Sequence, residues 1–243
     1  MSQFVVFATP AFDHNVTIGY FKSATETGWL LTERGIAYGY HHIGGDPYLA
    51  KVRNLLVSEC LRKYPQMTDF FFLDADIEWD AKAVLKLLDH PGDVVAGIYP
   101  KKNDVPEFPC ELELVDGKLV EKDGWYKARA VPTGFLRIKR GVLERMAAKV
   151  GTYIDGTGGG KEASNIFQMG YCADNEAATG KGEWWGEDYA WCKTVHDDGG
   201  EIWVWPDIDF GHRGGKTWRN NFATTIKAFE AGQAKVVNMP RVA

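Results

Sequence analysis

The chain has 243 residues, 45% of them hydrophobic and 25% charged, a composition that excludes a disordered or fibrous protein. Its formal net charge of −5 excludes a broad basic surface, so nucleic-acid binding through bulk electrostatics is not expected, while a local basic groove stays open. No stretch approaches the roughly 20 apolar residues of a membrane span. Cys60, Cys110, Cys172 and Cys192 show neither CxxC spacing nor a compact framework, and MSQFVVFATP lacks the charged and apolar regions of a signal peptide. A soluble cytoplasmic protein with reduced thiols is expected.

In chain order, QFVVFA (3–8) reads as a first buried strand ended by Thr9 and Pro10. Residues 16–33 suit a helix with Ile18, Phe21, Trp29 and Leu30 as core contacts, and Ile36 to Tyr40 form a short second strand. The clearest helix start follows, with Asp46 as N-cap, Pro47 in the first helical position, and Leu49, Val52, Leu55, Leu56 and Leu61 on one face. Residues 68–80, TDFFFLDADIEWD, are the most informative. The apolar run Phe70 to Leu73 predicts a strand buried on both faces, as in a parallel sheet, and it leads straight into Asp74 and Asp76. Asp80 then caps a helix through Leu88, and DVVAGIY (93–99) returns as a strand.

This alternation predicts an α/β protein with a doubly wound, mostly parallel sheet. Beyond it come short strand pieces (ELELV, KARAV, FLRIK) within 110–140, a helix at GVLERMAAKV and a long Gly-rich loop over 155–187. A helix from about Asp188 to Asp197, a strand EIWVW and a tail containing His212 complete a single domain without repeats or linkers.

Ligands of open α/β sheets bind outside the carboxyl ends of the strands, where Asp74 and Asp76 fall. Carboxylates after a strand often cap the next helix, but here Asp80 takes that role. The Asp-x-Asp step offers two hard oxygen ligands to one divalent cation, which in turn could hold a diphosphate. Haloacid-dehalogenase-type phosphatases use a similar pair, but on a strand near the start of the fold. Sugar nucleotidyltransferases open with a Gly-rich basic loop that ATPAFDHN does not supply.

With FATPAFD, LAKVRNLLV, FFFLDADIEW, GIYPKK, PTGFLRIKRGVLERM, GEDYAWC and PDIDFGHRG in this order, the chain resembles glycosyltransferases of the GT-A fold, particularly small enzymes of phages and large DNA viruses. The resemblance implies one catalytic domain over 1–243, with a nucleotide-binding half at 1–105, an acceptor-binding half with a smaller sheet at 106–243, and the host cytoplasm as location for a viral member. Asp74 and Asp76 correspond to the DXD metal and nucleotide-sugar motif, with His212 as distant third ligand. A His with two carboxylates leans toward Mn²⁺ over Mg²⁺. Thr9, Pro10 and Phe12 take the base-and-ribose position. Arg53, otherwise an ordinary solvated helix charge, points a guanidinium at the diphosphate or the Asp pair. Lys101 and Lys102 close a strand within reach of phosphate or donor sugar, or form an exposed basic pair. Thr133 and Gly134 line the acceptor side of the donor sugar. Glu187 and Asp188, which also suit a helix N-terminus on structural grounds alone, face the acceptor, with Asp188 as general base and Glu187 as its substitute. Trp184 and Trp185 offer faces for sugar stacking or simply pack.

The implied function is metal-dependent, inverting transfer from a UDP- or GDP-sugar to a hydroxyl of a glycan, a protein or a modified base. The alternatives are a metal-dependent phosphatase or nucleotidyltransferase using the same Asp pair, and a non-catalytic carbohydrate-binding virion protein.

Overall fold

The computed structural model describes residues 3–157, 159–172 and 180–232. Strand β1 (Phe4–Ala11) runs through Thr9 and Pro10 instead of stopping there. Strand β3 (Asp69–Leu73) pairs only with Val5–Ala8 of β1, so past Ala8 one side of β1 carries no ladder and a proline is tolerated. Helix α1 (Ile18–Glu33) is capped by Thr17, whose hydroxyl accepts the Tyr20 N–H at 3.1 Å. Its core face differs from the expected one. Ile18, Phe21 and Trp29 are 84%, 60% and 67% exposed, whereas Tyr20, Ser23, Thr27, Gly28 and Leu31 are buried. Polar bonds select that face: Ser23 and Thr27 both bond to Trp79, and Gly28 lets the Tyr38 hydroxyl approach. Of the expected contacts, Leu30 does pack against the core.

Strand β2 (Ala37–Gly44) continues past Tyr40. Helix α2 (Leu49–Lys63) starts later than expected, because Asp46 accepts the Tyr48 N–H at 2.9 Å in a turn and Tyr48 holds the N-cap position. After the short β4 (Ile77–Glu78), Asp80 caps α3 (Ala81–Asp89) as expected, and β5 (Val94–Gly97) follows.

The middle of the chain forms β6 (Glu111–Leu112), β7 (Leu114–Val115), β8 (Lys118–Leu119), β9 (Glu121–Lys122), β10 (Trp125–Ala130), β11 (Phe135–Lys139) and α4 (Arg140–Lys149). The Gly-rich stretch is not one loop. It forms a hairpin of β12 (Thr152–Asp155) with β13 (Lys161–Ser164), and a pair of β14 (Gly170–Cys172) with β15 (Glu183–Trp185). Residues 158 and 173–179 of the expected loop lie outside the described residues. Helix α5 (Glu187–Asp197) and β16 (Ile202–Trp205) match expectation. The expected tail is instead ordered as β17 (Asp209–Arg213), β18 (Thr217–Asn221) and α6 (Phe222–Glu230).

The main sheet has the order β2-β1-β3-β11-β5-β16-β10-β6, with β9 also against β10. β1, β2, β3, β5 and β16 share one direction, while β11 and β10 oppose them, so the sheet is mixed but mostly parallel. β11, from the second half of the sequence, lies between β3 and β5, so both halves build one sheet. Period-two alternation sends Phe70 and Phe72 to one core face and Phe71 and Leu73 to the other. Full burial of each is worth about 1.5–3 kcal/mol. All four cysteines are free, and no described helix is long and apolar enough to cross a membrane.

Candidate functional site

The site collects at the carboxyl ends of β1, β3 and β5. The register of β3 with β11 places Leu73 opposite Phe135, so Gly134 faces Asp74, whose N–H donates to the Gly134 carbonyl at 2.9 Å. A methyl group at Gly134 would overlap the Asp74 carboxylate and the Tyr99 hydroxyl, so this close approach requires glycine. Tyr99, just past β5, donates to Asp74 Oδ2 at 3.4 Å. Burial first, and then the charge of Asp74, hold the phenol pKa well above its ordinary value, so it remains a donor.

Arg53 sits mid-α2 among buried Val52, Asn54, Leu55 and Leu56 and is itself 1% exposed. Its guanidinium lies 4.9 Å over the Phe72 ring. Nη2 donates to Asp74 Oδ1 at 3.1 Å and Nε to Glu187 Oε1 at 3.3 Å. Burial opposes the charge, but Asp74 and Glu187 outweigh it and leave the guanidinium pKa above its usual value. Nη1 is buried without a hydrogen-bond partner. One cation thus ties the end of β3 to the start of α5.

Asp76 belongs to a second group. Lys102 Nζ lies 2.5 Å from its Oδ2, and His212 Nε2 lies 3.5 Å from its Oδ1. The pairing of β17 with β4 sets His212 opposite Ile77, and the Arg213 N–H donates to the Asp76 carbonyl at 2.8 Å. Burial works against ionisation of Asp76, but His212 and Lys102 hold its pKa below the ordinary carboxylate value. His212 Nδ1 is 2.7 Å from the Pro100 carbonyl, a contact only an N–H can make, and this bond orients the ring with Nε2 toward Asp76.

An imidazole oriented by a backbone carbonyl beside a carboxylate is a donor pair that fits a divalent cation. Asp74 is not part of that pair, since its carboxylate is engaged by Arg53 and Tyr99. Among the described residues no three His, Cys, Asp or Glu side chains are gathered as a metal-binding group.

Glu187 and Asp188 open α5, whose N-cap, Gly186, contributes no side-chain bond. Asp188 Oδ1 accepts the Tyr189 N–H at 2.8 Å. Burial, with the neighbouring Glu187 charge adding to it, pushes the Asp188 pKa up to about 6. On the strand before, Trp184 is 74% exposed and sits opposite Tyr171 in the ladder, itself 62% exposed, so both aromatic side chains leave the same face of the strand pair. Trp185 is half-buried and donates to Glu183 at 2.8 Å.

The remaining sequence-derived residues spread along the same edge. Thr9 is buried, with its hydroxyl 2.6 Å from that of Tyr20, while Pro10 is half-buried and Phe12 exposed. Thr133 is buried beside Gly134. Lys101 pairs with Glu107 at 3.3 Å, and it is Lys102 that reaches Asp76. Sequence reasoning missed Tyr99 and Tyr171. Tyr99 lies inside the quoted GIYPKK segment and could have been weighed with its lysines, whereas Tyr171 acquires a partner only through hairpin register.

No family model and no curated protein matches the chain. Among solved structures it is similar to the viral protein A197 from STIV, with 17% identity, a TM-score of 0.52, and coverage of 88% of this chain and 86% of that one. It is also similar to a glycosyltransferase involved in glycosylation of the major capsid of PBCV-1, with 14% identity, a TM-score of 0.34, and coverage of 58% and 62%. The first likeness concerns the fold alone.

Proposed function

We propose that this chain is a GT-A-type glycosyltransferase that moves a sugar from a nucleoside-diphosphate sugar to an acceptor hydroxyl with inversion. The observation that carries the reading is Arg53. A buried guanidinium joins the Asp-x-Asp end of β3 to the acidic start of α5 and keeps both N–H groups of Nη1 without a protein partner. Those two N–H groups suit an anionic oxygen such as a diphosphate supplies.

Asp76 and His212 would hold a divalent cation, Mn²⁺ better than Mg²⁺ given the imidazole, with the remaining positions left to donor oxygens. When bound, such an ion neutralises charge growing on a leaving diphosphate. Arg53 adds fixed positive charge at the same edge, where it favours charge separation. Asp74, held by Arg53 and Tyr99, presents an oriented carboxylate to donor hydroxyls. Thr9 and Pro10, past the β1–β3 ladder, and Phe12 just after β1 line the nucleoside side.

Asp188 accepts the proton of the acceptor hydroxyl, and a pKa of about 6 suits it to do so near neutral pH. Glu187, committed to Arg53, positions α5 rather than taking the proton. Trp184 and Tyr171 offer the acceptor sugar a flat apolar surface directly before the base. Asp188→Asn tests the assignment: donor-induced thermal stabilisation should persist while transfer is lost. Normal turnover in that variant would remove Asp188 from the mechanism. Release of inorganic phosphate in place of nucleoside diphosphate would point instead to phosphatase chemistry.

A further inference from the structure

β2 forms an edge of the main sheet, and among the described residues its backbone ladder is with β1 alone. Its outer N–H and C=O groups form a row suited to another strand. Edges are ordinarily blunted by lysine, proline or a bulge, and AYGYHHIG contains none of these over eight residues in unbroken register with β1. Beside this edge, α1 exposes Ile18, Phe21 and Trp29, which at 100° per residue fall within an arc of about 80°. Phe21, Thr25 and Trp29 face Tyr38 and Tyr40 of β2 across a groove of about 570 Å³.

Strand and helix agree on where a two-fold axis would pass. Antiparallel pairing of β2 with another β2 puts the axis at the middle of the strand, beside Tyr40. The Tyr40 hydroxyl donates to the Ala24 carbonyl at 2.9 Å, so an axis perpendicular to the sheet there also passes α1 near Ala24. About that point the helix is self-complementary. Lys22 lies as far before Ala24 as Glu26 lies after it, and the two, 4.0 Å apart within one copy, would each also face the opposite charge of a second copy. Such an axis keeps α1 on the same face of the joined sheet in both copies, and the apolar arcs meet. We propose that a second copy of this chain occupies this face, pairing β2 with β2 and packing α1 against α1.

The exposed parts of Phe21, Trp29, Tyr38 and Tyr40 come to about 400 Å² per copy, taking about 200 Å² per aromatic side chain. Ile18 and the strand backbone bring this toward the roughly 800 Å² that each partner buries in a standard interface. A closed, isologous dimer also removes the exposed edge.

The groove shares Thr9 with the proposed nucleoside side, so the dimer is tested by assembly and not by activity. Sedimentation velocity from about 1 to about 100 µM should show a species of twice the 27.2 kDa chain, and exchange of the β2 amides should slow as concentration rises. Thr25→Lys, which sets two lysines across the axis, and Trp29→Glu should each weaken dimerisation at least about tenfold while leaving the circular dichroism spectrum unchanged. A monomer at the top concentration overturns the proposal, as does a dimer indifferent to both variants. Protection of β2 by oligosaccharides or lipid vesicles in place of protein concentration overturns it too.

Discussion

The guanidinium of Arg53 lies 3.1 Å from the carboxylate of Asp74 at a position 1% exposed to solvent, and the same group reaches Glu187. Removing one member of a buried ion pair leaves the others uncompensated. Arg53→Met should therefore destabilise the fold by about 3–5 kcal/mol in urea unfolding. A loss below about 1 kcal/mol would mean that the carboxylates are solvated and that the pair is not a structural anchor.

The raised pKa of Asp188 makes two pH predictions. As a base it must be ionised, so the rate of transfer should rise through about pH 6 and level off above it. Stability follows the opposite sign. A carboxyl whose pKa is higher folded than unfolded contributes stability that is present below the unfolded value and is lost as pH rises through about 6. The contribution is on the order of 3 kcal/mol. In Asp188→Asn that part of the stability profile should flatten. An unchanged profile in denaturation experiments at stepped pH would contradict the burial of this group.

Lys102 and Lys101 are adjacent in sequence, but only Lys102 contacts Asp76. A lysine on that carboxylate competes with a divalent ion. Lys102→Met should tighten Mn²⁺ binding in the absence of donor by about threefold to tenfold, and Lys101→Met should leave it unchanged. Calorimetric titration of each variant with Mn²⁺ distinguishes the two, and equal affinities would show that Lys102 does not shield the site.

Gly134→Ala tests the approach of β11 to the Asp-x-Asp turn. The added methyl must displace the Asp74 carboxylate or the Tyr99 ring, so donor affinity should fall by at least about tenfold, with an overpacking cost of about 1–3 kcal/mol. Wild-type donor affinity in a folded variant would show that the position of Asp74 does not matter to binding.

Much of the framework was legible in the sequence because local signals and tertiary structure agree there. The apolar run into Asp74, the Asp80 cap and the α5 start all behave as their local chemistry requires. Failures arose where contacts distant in sequence decide. The inward face of α1 is chosen by Ser23 and Thr27 bonding to Trp79, which no helical periodicity reveals. Asp46 loses its capping role to a turn one residue pair later, and the hairpins hidden in a Gly-rich stretch depend on cross-strand pairing. Within the site, the sequence identified Asp74, Asp76, Arg53 and His212 as candidates. Their division into an Arg53–Asp74–Glu187 group and an Asp76–His212–Lys102 group depends on side-chain direction and was not readable.

Mn²⁺-dependent release of nucleoside diphosphate from a panel of UDP- and GDP-sugars, compared between wild type and Asp76→Ala, tests the central claim most directly. The account predicts that at least one sugar nucleotide is turned over and that the substitution lowers the rate by at least about a hundredfold. Turnover undiminished in Asp76→Ala, or no binding of any sugar nucleotide with manganese present, would contradict it.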